Sequence, residues 1–336
     1  MLHKSLNHPV KVVLNGFGRI GRPLLRLLSQ ENTGFELVAI NDIAPLETCA
    51  YLFEYDSVFG PFQGTVEIGD KALIVNGRSI PFYQSHDIGT LDLTGVDVLL
   101  ECTGQVNNRA IAERGLRAGA KAVLVSGPSD AADITLVLGA NETEMNDHKI
   151  ISNASCTTNA LAPLLRVLDE NFGLKSGHMT TVHCYTGSQP TVDKPRGNLA
   201  RSRAASLSMV PTTTSAQRLT DMVLPHLKGR IEARAIRVPS ASVSAIDLTV
   251  QTKEHVTIEN VNAVLKHAAE TSPVFGWITQ PLVSCDLRAR PESLIISERE
   301  TSVSVGGLLR VFGWYDNEWG FSNRMLDMAR LMARRA

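Results

Sequence analysis

The sequence predicts an α/β protein of two domains, and three observations carry this prediction. The chain has 336 residues, more than a single hydrophobic core usually supports. A β-branched apolar run near its start leads through closely spaced glycines into a helical pattern, which is typical of an α/β unit. Near the middle, a second helical pattern follows a short polar segment that contains a cysteine. Hydrophobic residues make up 43% of the chain and charged residues 20%, the composition of a folded globular protein.

Charge and composition exclude several classes of protein. The 33 basic and 34 acidic residues give a net charge of -1, so we expect no nucleic-acid partner. No apolar run reaches the roughly 18 residues that cross a bilayer, so we expect no membrane partner. Met1–Pro9 lacks the features of a secretory signal and is predicted to be an exposed tail. The five cysteines are scattered without metal-ligand spacing, which favours a reducing cytoplasm and no metal site.

The first strand is predicted at Val10–Asn15, and a glycine motif follows it at once. The residues of this motif are Gly16, Phe17, Gly18, Arg19, Ile20 and Gly21. Gly16 allows a tight turn, Gly18 lets a pyrophosphate approach the backbone, and Gly21 lets the next helix pack against the strand. Phosphates would then lie at the helix N-terminus, where free N–H groups favour negative charge.

The second strand, Phe35–Ile40, supports the same interpretation. It ends in Asn41 and Asp42, an acidic residue about 20 positions beyond the last glycine. An isolated glycine motif is often an ordinary turn, but here strand, helix, second strand and terminal acid all agree. The unit is therefore predicted to bind a dinucleotide. Asp42 would accept hydrogen bonds from ribose hydroxyls and repel a 2′-phosphate, which favours NAD over NADP.

Further short apolar runs continue a mostly parallel sheet. They lie at Val96–Glu101, Ala122–Ser126, Thr135–Leu138 and Ile150–Ser152. A helix is predicted around Asn107–Ala118. Thr103 and Ser126 follow strands whose carboxyl ends face the ligand crevice in such sheets. These two residues either line the cofactor or simply begin loops.

The middle of the chain carries two candidates for catalysis. Cys156 precedes a helical run at Ala160–Asn171, so it falls at a helix N-terminus, where free N–H groups favour a nucleophilic thiolate. The alternative is a buried, inert cysteine. His183 ends an apolar run at Met179–Val182 and is one of nine histidines. It is a candidate partner for the cysteine, although most histidines are surface or packed residues.

Five strings resemble the phosphorylating glyceraldehyde-3-phosphate dehydrogenase family, in the family's order and over essentially the whole chain. They are NGFGRIGR (Asn15–Arg22), SNASCTTNALAP (Ser152–Pro163), TVHCYT (Thr181–Thr186), RVP (Arg237–Pro239) and WYDNEWGFSNRM (Trp314–Met325). The resemblance implies an NAD-binding Rossmann domain at residues 1–155 and an α+β catalytic domain at residues 156–319. It also implies a mostly antiparallel or mixed sheet in the catalytic domain. A last helix at residues 320–336 is expected to pack back on the first domain.

The resemblance also implies an activity and roles for single residues. Cys156 would attack the aldehyde carbon of glyceraldehyde 3-phosphate, and His183 would favour the thiolate and accept the hydroxyl proton. After hydride transfer to NAD, inorganic phosphate would release 1,3-bisphosphoglycerate from the thioester. Asn317 is implied to bind the nicotinamide carboxamide. The implied phosphate-binding residues are Thr186 and Arg237 for the substrate, and Ser155, Thr157 and Thr214 for inorganic phosphate. A homotetramer is expected by analogy.

Four positions depart from the family pattern. They are Ala160, Ser188, Ala200 and Ser215. Because of them, the resemblance predicts the reaction type more firmly than the identity of the aldehyde substrate. Ala200 stands where an arginine often contacts phosphate, so one charged hydrogen bond worth about 1.5–3 kcal/mol is absent. One hypothesis is that Arg196, Arg201 or Arg203 replaces this charge.

Two alternatives to the first function stay open. The string RSRAAS at Arg201–Ser206 has some similarity to erythrose-4-phosphate dehydrogenases, which use the same sulfur chemistry but release the acid by hydrolysis. The other alternative is a catalytically silent NAD-binding or thiol-sensing protein. That protein would bind NAD without forming NADH.

Overall fold

The computed structural model describes residues 8–335, which form two compact units. The first unit holds the chain up to Leu136, Thr143–Ala154 and the chain from Ser322 onward, and the second holds Val137–Glu142 and Ser155–Phe321. The predicted tail at Met1–Pro9 lies outside the described residues except for its last two, which are exposed. The predicted division into an NAD-binding domain that ends at residue 155 and a catalytic domain that begins at residue 156 stays a prediction.

The first unit is built on a mixed sheet. Its strands are β1 (Val10–Asn15), β2 (Phe35–Asn41), β3 (Tyr55–Asp56), β4 (Gly60–Pro61), β5 (Val66–Gly69), β6 (Ala72–Val75), β7 (Arg78–Tyr83), β8 (Val98–Glu101), β9 (Ala122–Val125), β10 (Ile134–Thr135) and β11 (Ile150–Ser152). The main sheet has the order β10-β11-β9-β8-β1-β2-β7-β6-β5, and β3 pairs with β4 separately. The seven strands β10, β11, β9, β8, β1, β2 and β7 are parallel to their neighbours. At the other edge of the sheet, β6 pairs antiparallel with both β7 and β5.

The strand order reverses between β1 and β8, which are neighbours in the sheet but far apart in sequence. In open α/β sheets, ligands bind at the carboxyl ends of the strands at such a point. Strands β1 and β8 each contain three consecutive apolar residues, Val12 to Leu14 and Val98 to Leu100, whose side chains are almost fully buried. They form strands because β-branched and leucine side chains suit a sheet covered on both faces.

The helices of the first unit connect these strands. They are α1 (Gly21–Leu28), α2 (Leu46–Glu54), α3 (Arg109–Ala112) and α4 (Arg114–Arg117). The predicted helix at Asn107–Ala118 is thus two short helices that meet at Glu113. The predicted strand at Thr135–Leu138 is also shorter, because the backbone turns after Thr135 and Val137 N–H bonds the side chain of Asn141.

The second unit has a mostly antiparallel, mixed sheet under helices. Its strands are β12 (Leu174–Cys184), β13 (Val210–Thr213), β14 (Ile231–Val238), β15 (Ser244–Thr252), β16 (Phe275–Ile278), β17 (Leu294–Ser297), β18 (Ser302–Val303) and β19 (Leu308–Tyr315). The sheet order is β13-β14-β12-β15-β19-β17-β16, with β18 on β19. Its helices are α5 (Cys156–Phe172), α6 (Ala216–Val223) and α7 (Ile258–Thr271). The predicted fold class is confirmed.

Helix α5 contacts β12, β15, β17 and β19, so its first residue is held over the sheet. Its apolar face, which includes Leu161, Leu164, Leu165 and Leu168, is fully buried. A further helix, α8 (Trp319–Ala333), starts one residue before the predicted residue 320. In the part of the chain that the structure describes, no helix is long and apolar enough to cross a lipid bilayer.

Candidate active site

The glycine loop of the first unit divides its glycines between two structural tasks. Gly16 has a φ of 95°, and a Cβ there would lie 2.7 Å from the carbonyl carbon of Cys102. A Cβ on Gly21 would lie 2.2 Å from the carbonyl oxygen of Gly16. Gly18 differs, since a Cβ there would meet nothing within 4 Å. Packing therefore requires Gly16 and Gly21, whereas Gly18 leaves open space for a ligand.

Asp42 fastens the glycine loop to the end of β2. Its Oδ2 accepts a hydrogen bond of 2.6 Å from Phe17 N–H, and its Oδ1 accepts one of 2.9 Å from Ala44 N–H. The Phe17 ring is buried against Phe53. Phe17 thus serves the loop through its backbone, and Asp42 keeps a partly exposed carboxylate at the position expected for a ribose acceptor.

A buried polar network joins the carboxyl ends of β1, β2 and β8. Asn41 Nδ2 donates to Asn15 Oδ1 at 2.8 Å, and Asn15 Nδ2 donates to Glu101. The Glu101 carboxylate also accepts from the hydroxyl of Thr103 and, at 2.9 Å, from its N–H. Burial raises the pKa of Glu101. Sequence reasoning missed this network, although each member borders the glycine motif or a strand end.

These strand ends enclose a pocket of about 440 Å³, within the size range of small-molecule sites. Among the predicted cofactor residues, the pocket is lined by Gly16, Gly18, Asp42 and Thr103. The remaining predicted residues of this unit do not line it: Phe17, Arg19, Ile20, Gly21 and Ser126. Arg19 instead forms an ion pair with the buried carboxylate of Asp56, and Ser126 N–H donates to Glu101 O at 2.9 Å. The open cradle at Gly18 and the acceptor at Asp42 fit a dinucleotide.

In the second unit, Cys156 begins helix α5 directly after a sharp turn. Ala154 has a φ of 56°, a left-handed conformation that is uncommon for a residue with a side chain. Ser155 caps the helix, because its Oγ accepts from Thr158 N–H at 3.1 Å. Cys156 therefore lies among the free N–H groups of the first turn, as the sequence predicts. The Ser155 hydroxyl is occupied with capping and also contacts the Thr158 hydroxyl at 2.7 Å.

His183 lies beside this sulfur. The distance from Cys156 Sγ to His183 Nε2 is 3.7 Å. Strands β12 and β14 run parallel in a register that pairs His183 with Arg237, so the guanidinium reaches the imidazole. Arg237 Nη1 is 2.9 Å from His183 Nδ1 and donates to Cys184 O at 3.0 Å. The two predicted catalytic residues and one predicted phosphate residue are thus brought together.

The hydrogen bonds of His183 favour one tautomer. Nδ1 is 2.7 Å from the carbonyl oxygen of Cys184, which can only accept a hydrogen bond. A proton on Nδ1 satisfies that oxygen and leaves the lone pair of Nε2 facing Cys156 Sγ. Arg237, which can only donate, is then satisfied by the same carbonyl oxygen. This arrangement prepares Nε2 to accept a proton from the thiol.

Burial governs the charge state of the pair. Burial and, to a smaller extent, the positive charge of Arg237 together lower the pKa of His183 to about 4. Burial raises the pKa of Cys156, while Arg237 and the N–H and hydroxyl of Thr157 lower it. The arrangement therefore favours a neutral thiol and a neutral imidazole. The thiolate–imidazolium pair that the resemblance implies stays a prediction, which burial opposes at both groups and which Arg237 favours at the sulfur alone.

Tyr315 contacts three residues at or near the cysteine site, and the sequence analysis did not identify it. Its fully buried hydroxyl contacts Thr157 Oγ1 at 2.8 Å and Thr181 Oγ1 at 2.7 Å. Its ring lies edge-on to the imidazole of His183, with centroids 6.0 Å apart. The hydroxyl of Thr157 is therefore buried and engaged with Tyr315. For Thr157 the structure favours a bracing role of the hydroxyl over a direct phosphate contact.

The other predicted phosphate residues have local partners. Thr186 Oγ1 contacts Ser188 Oγ at 2.9 Å, and Thr214 Oγ1 accepts from Ala216 N–H at 3.2 Å. Both threonines are partly exposed. Among residues 8–335, no hydrogen bond joins either of them to Arg237. Their grouping around two phosphates stays a prediction.

The arginines near Ala200 have different surroundings. Arg201 Nε donates to Thr212 Oγ1 at 2.8 Å, and Arg201 Nη2 donates to Thr213 O at 3.0 Å. Arg203 forms an exposed ion pair with Asp193 at 2.8 Å. Among the three candidates to replace the missing charge, Arg201 is the one that lies against the strand leading to Thr214.

Cys184 and Asn317 form a second contact next to His183. Cys184 is fully buried, and its Sγ lies 3.1 Å from Asn317 Oδ1. Sequence reasoning included Asn317 but overlooked Cys184, although the string TVHCYT places it directly after His183. All five cysteines are free thiols. Among residues 8–335, no group of three or more His, Cys, Asp or Glu side chains could hold a metal ion.

Comparison with known proteins finds relatives that match nearly the whole chain. The family model for "Glyceraldehyde 3-phosphate dehydrogenase, NAD binding domain" matches residues 10–109, and the model for its C-terminal domain matches residues 155–317. Glyceraldehyde-3-phosphate dehydrogenase from Xanthobacter flavus is 45% identical over 331 residues, covering 97% of this chain and 99% of the relative. The Zymomonas mobilis protein of that name is 46% identical over 333 residues, with the same coverage. Glyceraldehyde-3-phosphate dehydrogenase 2 from Bacillus subtilis is 44% identical, covering 97% of each chain.

Proposed function

The chain belongs to the glyceraldehyde 3-phosphate dehydrogenase family, and we propose that it oxidises glyceraldehyde 3-phosphate with NAD and inorganic phosphate. It is an NAD-dependent oxidoreductase that acts on an aldehyde. The observation that carries the proposed chemistry is the 3.7 Å approach of His183 Nε2 to Cys156 Sγ at the start of a helix. A thiol with a base at this distance is the arrangement required for covalent aldehyde oxidation.

The glycine loop and Asp42 would hold NAD. The backbone of the Gly16–Gly18 segment would contact the pyrophosphate, and Asp42 would accept from the ribose hydroxyls. NAD, when bound, accepts the hydride that leaves the substrate carbon. Asn317 would donate to the carboxamide of the nicotinamide.

Cys156 and His183 would share the proton transfers. As sulfur attacks the aldehyde carbon, Nε2 of His183 takes the thiol proton and passes it to the new alkoxide, giving a hemithioacetal. Nε2 then takes the hydroxyl proton while hydride departs, which leaves a thioester on Cys156. The free N–H groups at the start of α5 would stabilise negative charge on the carbonyl oxygen.

Phosphate would complete the reaction. One phosphate oxygen attacks the thioester carbon, the C–S bond breaks, and the Cys156 thiolate recovers the proton held by His183. The acyl phosphate product is 1,3-bisphosphoglycerate. Thr186 and Arg237 would bind the substrate phosphate. Inorganic phosphate would be bound by the hydroxyl of Thr214 and by the N–H groups of Ser155 and Thr157, whose own hydroxyls are engaged within the protein. Binding an anion at Arg237 would offset its charge and make His183 a stronger base.

One observation favours a second candidate, erythrose-4-phosphate oxidation. Ala200 supplies no guanidinium for phosphate, and an acid-releasing enzyme needs only water to open the thioester. Arg201 could supply the missing guanidinium, because it donates hydrogen bonds to Thr212 and Thr213, which directly precede Thr214. Phosphorolysis therefore stays the first proposal.

The proposed assembly is a homotetramer in the cytoplasm. Exposed apolar side chains between residues 187 and 209 support association with another copy, since such a surface favours burial. They are Val192, Leu199, Leu207 and Met209. A nucleophilic thiol at Cys156 also suits a reducing compartment.

The deciding experiment measures NADH absorbance with purified protein, glyceraldehyde 3-phosphate, NAD and phosphate. The same assay is repeated without phosphate, with erythrose 4-phosphate, and with NADP. Strict dependence on phosphate supports the proposal. Faster turnover of erythrose 4-phosphate without phosphate would favour the second candidate, and NAD binding without any NADH would contradict both.

A further inference from the structure

We infer that Cys184 is a positioning residue whose thiol donates a hydrogen bond to Asn317 and so turns the Asn317 amide nitrogen toward the cofactor. The inference rests on the proposed function, because it refines how Asn317 would bind the nicotinamide carboxamide. The supporting distance is 3.1 Å from Cys184 Sγ to Asn317 Oδ1. Neither Cys156 nor His183 can take this role, since both face the reacting atoms in the proposed mechanism.

The chemistry of the two groups sets the direction of the hydrogen bond. Burial raises the pKa of Cys184 to about 12, so the sulfur carries its proton at neutral pH. Asn317 Oδ1 can only accept, and the S–H group is the donor it faces. The amide nitrogen, Nδ2, has no hydrogen-bond partner among residues 8–335 and is free to donate to a ligand. The contact thus directs the amide oxygen of Asn317 toward Cys184 and leaves the amide nitrogen for the cofactor.

Cys184 can hold this orientation because its own backbone is fixed. Its N–H donates to Ser244 Oγ at 3.1 Å, and its carbonyl oxygen lies 2.7 Å from His183 Nδ1. Arg237 also donates to that oxygen, at 3.0 Å. One residue therefore orients two groups: its carbonyl fixes the imidazole tautomer of His183, and its thiol fixes the amide of Asn317.

Asn317 is also held at its backbone. Asp316 Oδ1 accepts from Glu318 N–H at 3.0 Å and from Trp319 N–H at 2.9 Å, which closes a tight turn around Asn317. Asp316 Oδ2 accepts from Ala289 N–H at 2.9 Å. With the backbone fixed, the side-chain torsions χ1 and χ2 are the freedom left to Asn317, and χ2 rotates the terminal amide. A single donated hydrogen bond is enough to bias that rotation.

The test compares Cys184→Ala, which removes the donor, with Cys184→Ser, which keeps one, and uses the exposed Cys285→Ala as control. We expect Cys184→Ala to raise the KM for NAD about 3- to 10-fold, with the KM for the aldehyde unchanged. Cys184→Ser and Cys285→Ala should stay within about 2-fold of the parent. No change in Cys184→Ala, or an equal loss in Cys184→Ala and Cys184→Ser, would overturn the inference.

A spectroscopic measurement tests the same contact if Cys184→Ala does not fold or the enzyme has no turnover. The S–H stretching band of Cys184 is identified as the band lost in Cys184→Ser. Donation to Asn317 predicts that this band moves to higher frequency in Asn317→Ala, and an unmoved band would overturn the inference. Because this readout needs no catalysis, failure of the proposed function and failure of the inference are distinguishable.

Discussion

The two units build their sites in different ways. The proposed cofactor pocket of the first unit is organised around a backbone loop, with Gly16 and Gly18 in one short segment and Asp42 holding that segment through Phe17 N–H. The site of the second unit depends on side chains from four separate segments. They are Cys156 on α5, His183 and Cys184 on β12, Arg237 on β14, and Tyr315 and Asn317 at and beyond the end of β19.

This difference assigns cofactor binding to the first unit and proton transfer to the second. A backbone loop can cradle a phosphate without changing any protonation state, because its N–H groups carry no charge. The cysteine site must instead move protons, and burial together with Arg237 sets the pKa values that decide how. Changes in the second unit should therefore remove turnover and leave NAD binding, whereas changes in the glycine loop should weaken NAD binding.

The largest effect is expected from Cys156→Ser, which removes the nucleophilic sulfur. NADH formation should fall about 10⁴-fold or more, because an unactivated hydroxyl is a far weaker nucleophile. NAD affinity, measured by protein fluorescence, should stay within about 2-fold of the parent. Cys285→Ser is the matched control, since Cys285 is exposed. Turnover close to that of the parent in Cys156→Ser would contradict the assignment of Cys156 as the nucleophile.

His183→Asn should have the next largest effect. Removing the general base should lower kcat by about 10²- to 10⁴-fold, with NAD affinity unchanged. His178→Asn provides a control, because His178 is exposed on the same strand. Equal kcat in His183→Asn and the control would show that the 3.7 Å contact has no catalytic role.

The Gly16→Ala and Gly18→Ala pair tests the first unit. Gly16→Ala should lower the free energy of unfolding by about 1–3 kcal/mol, because it forces a clash and a left-handed φ. Gly18→Ala should keep parental stability but raise the Kd for NAD by about 10- to 100-fold, because its methyl group occupies the space proposed for the pyrophosphate. Thermal unfolding and NAD titration of both variants check this split. Parental NAD affinity in Gly18→Ala would contradict the proposed cradle.

The pH profile of kcat/KM should report the low pKa of His183. A base with a pKa of about 4 is neutral above that value, so activity should fall as pH drops through about 4 and not through 6.5. Below this point the rate should decline about 10-fold per pH unit. Removing the positive charge in Arg237→Gln should raise the pKa and move the acid limb to higher pH. An acid limb near 6.5 in the parent would contradict a buried, neutral imidazole.

The smallest effect is expected from Asp42→Asn. The amide oxygen can still accept from Phe17 N–H, although the hydrogen bond from Ala44 N–H is lost, and the side chain no longer repels a 2′-phosphate. The ratio of kcat/KM for NADP to that for NAD should rise about 10-fold. An unchanged ratio would mean that cofactor choice is set elsewhere.

The sequence could predict what is local. The strand, glycine loop, helix and Asp42 lie in one continuous stretch, and a capped helix start places Cys156 among free N–H groups. Tyr315 and Cys184 could not be found this way, because their roles arise from the register of β12, β14, β15 and β19. The direction in which the pKa values of Cys156 and His183 shift was also unpredictable. It follows from burial and from the position of Arg237, and neither can be read from spacing.

Covalent catalysis by Cys156 is tested most directly by mass spectrometry of the protein after incubation with NAD and glyceraldehyde 3-phosphate in the absence of phosphate. The proposed mechanism predicts an acyl group attached to the peptide that contains Cys156, which disappears when phosphate is added. A protein that forms NADH under these conditions while its Cys156 peptide never gains mass would contradict the proposed mechanism.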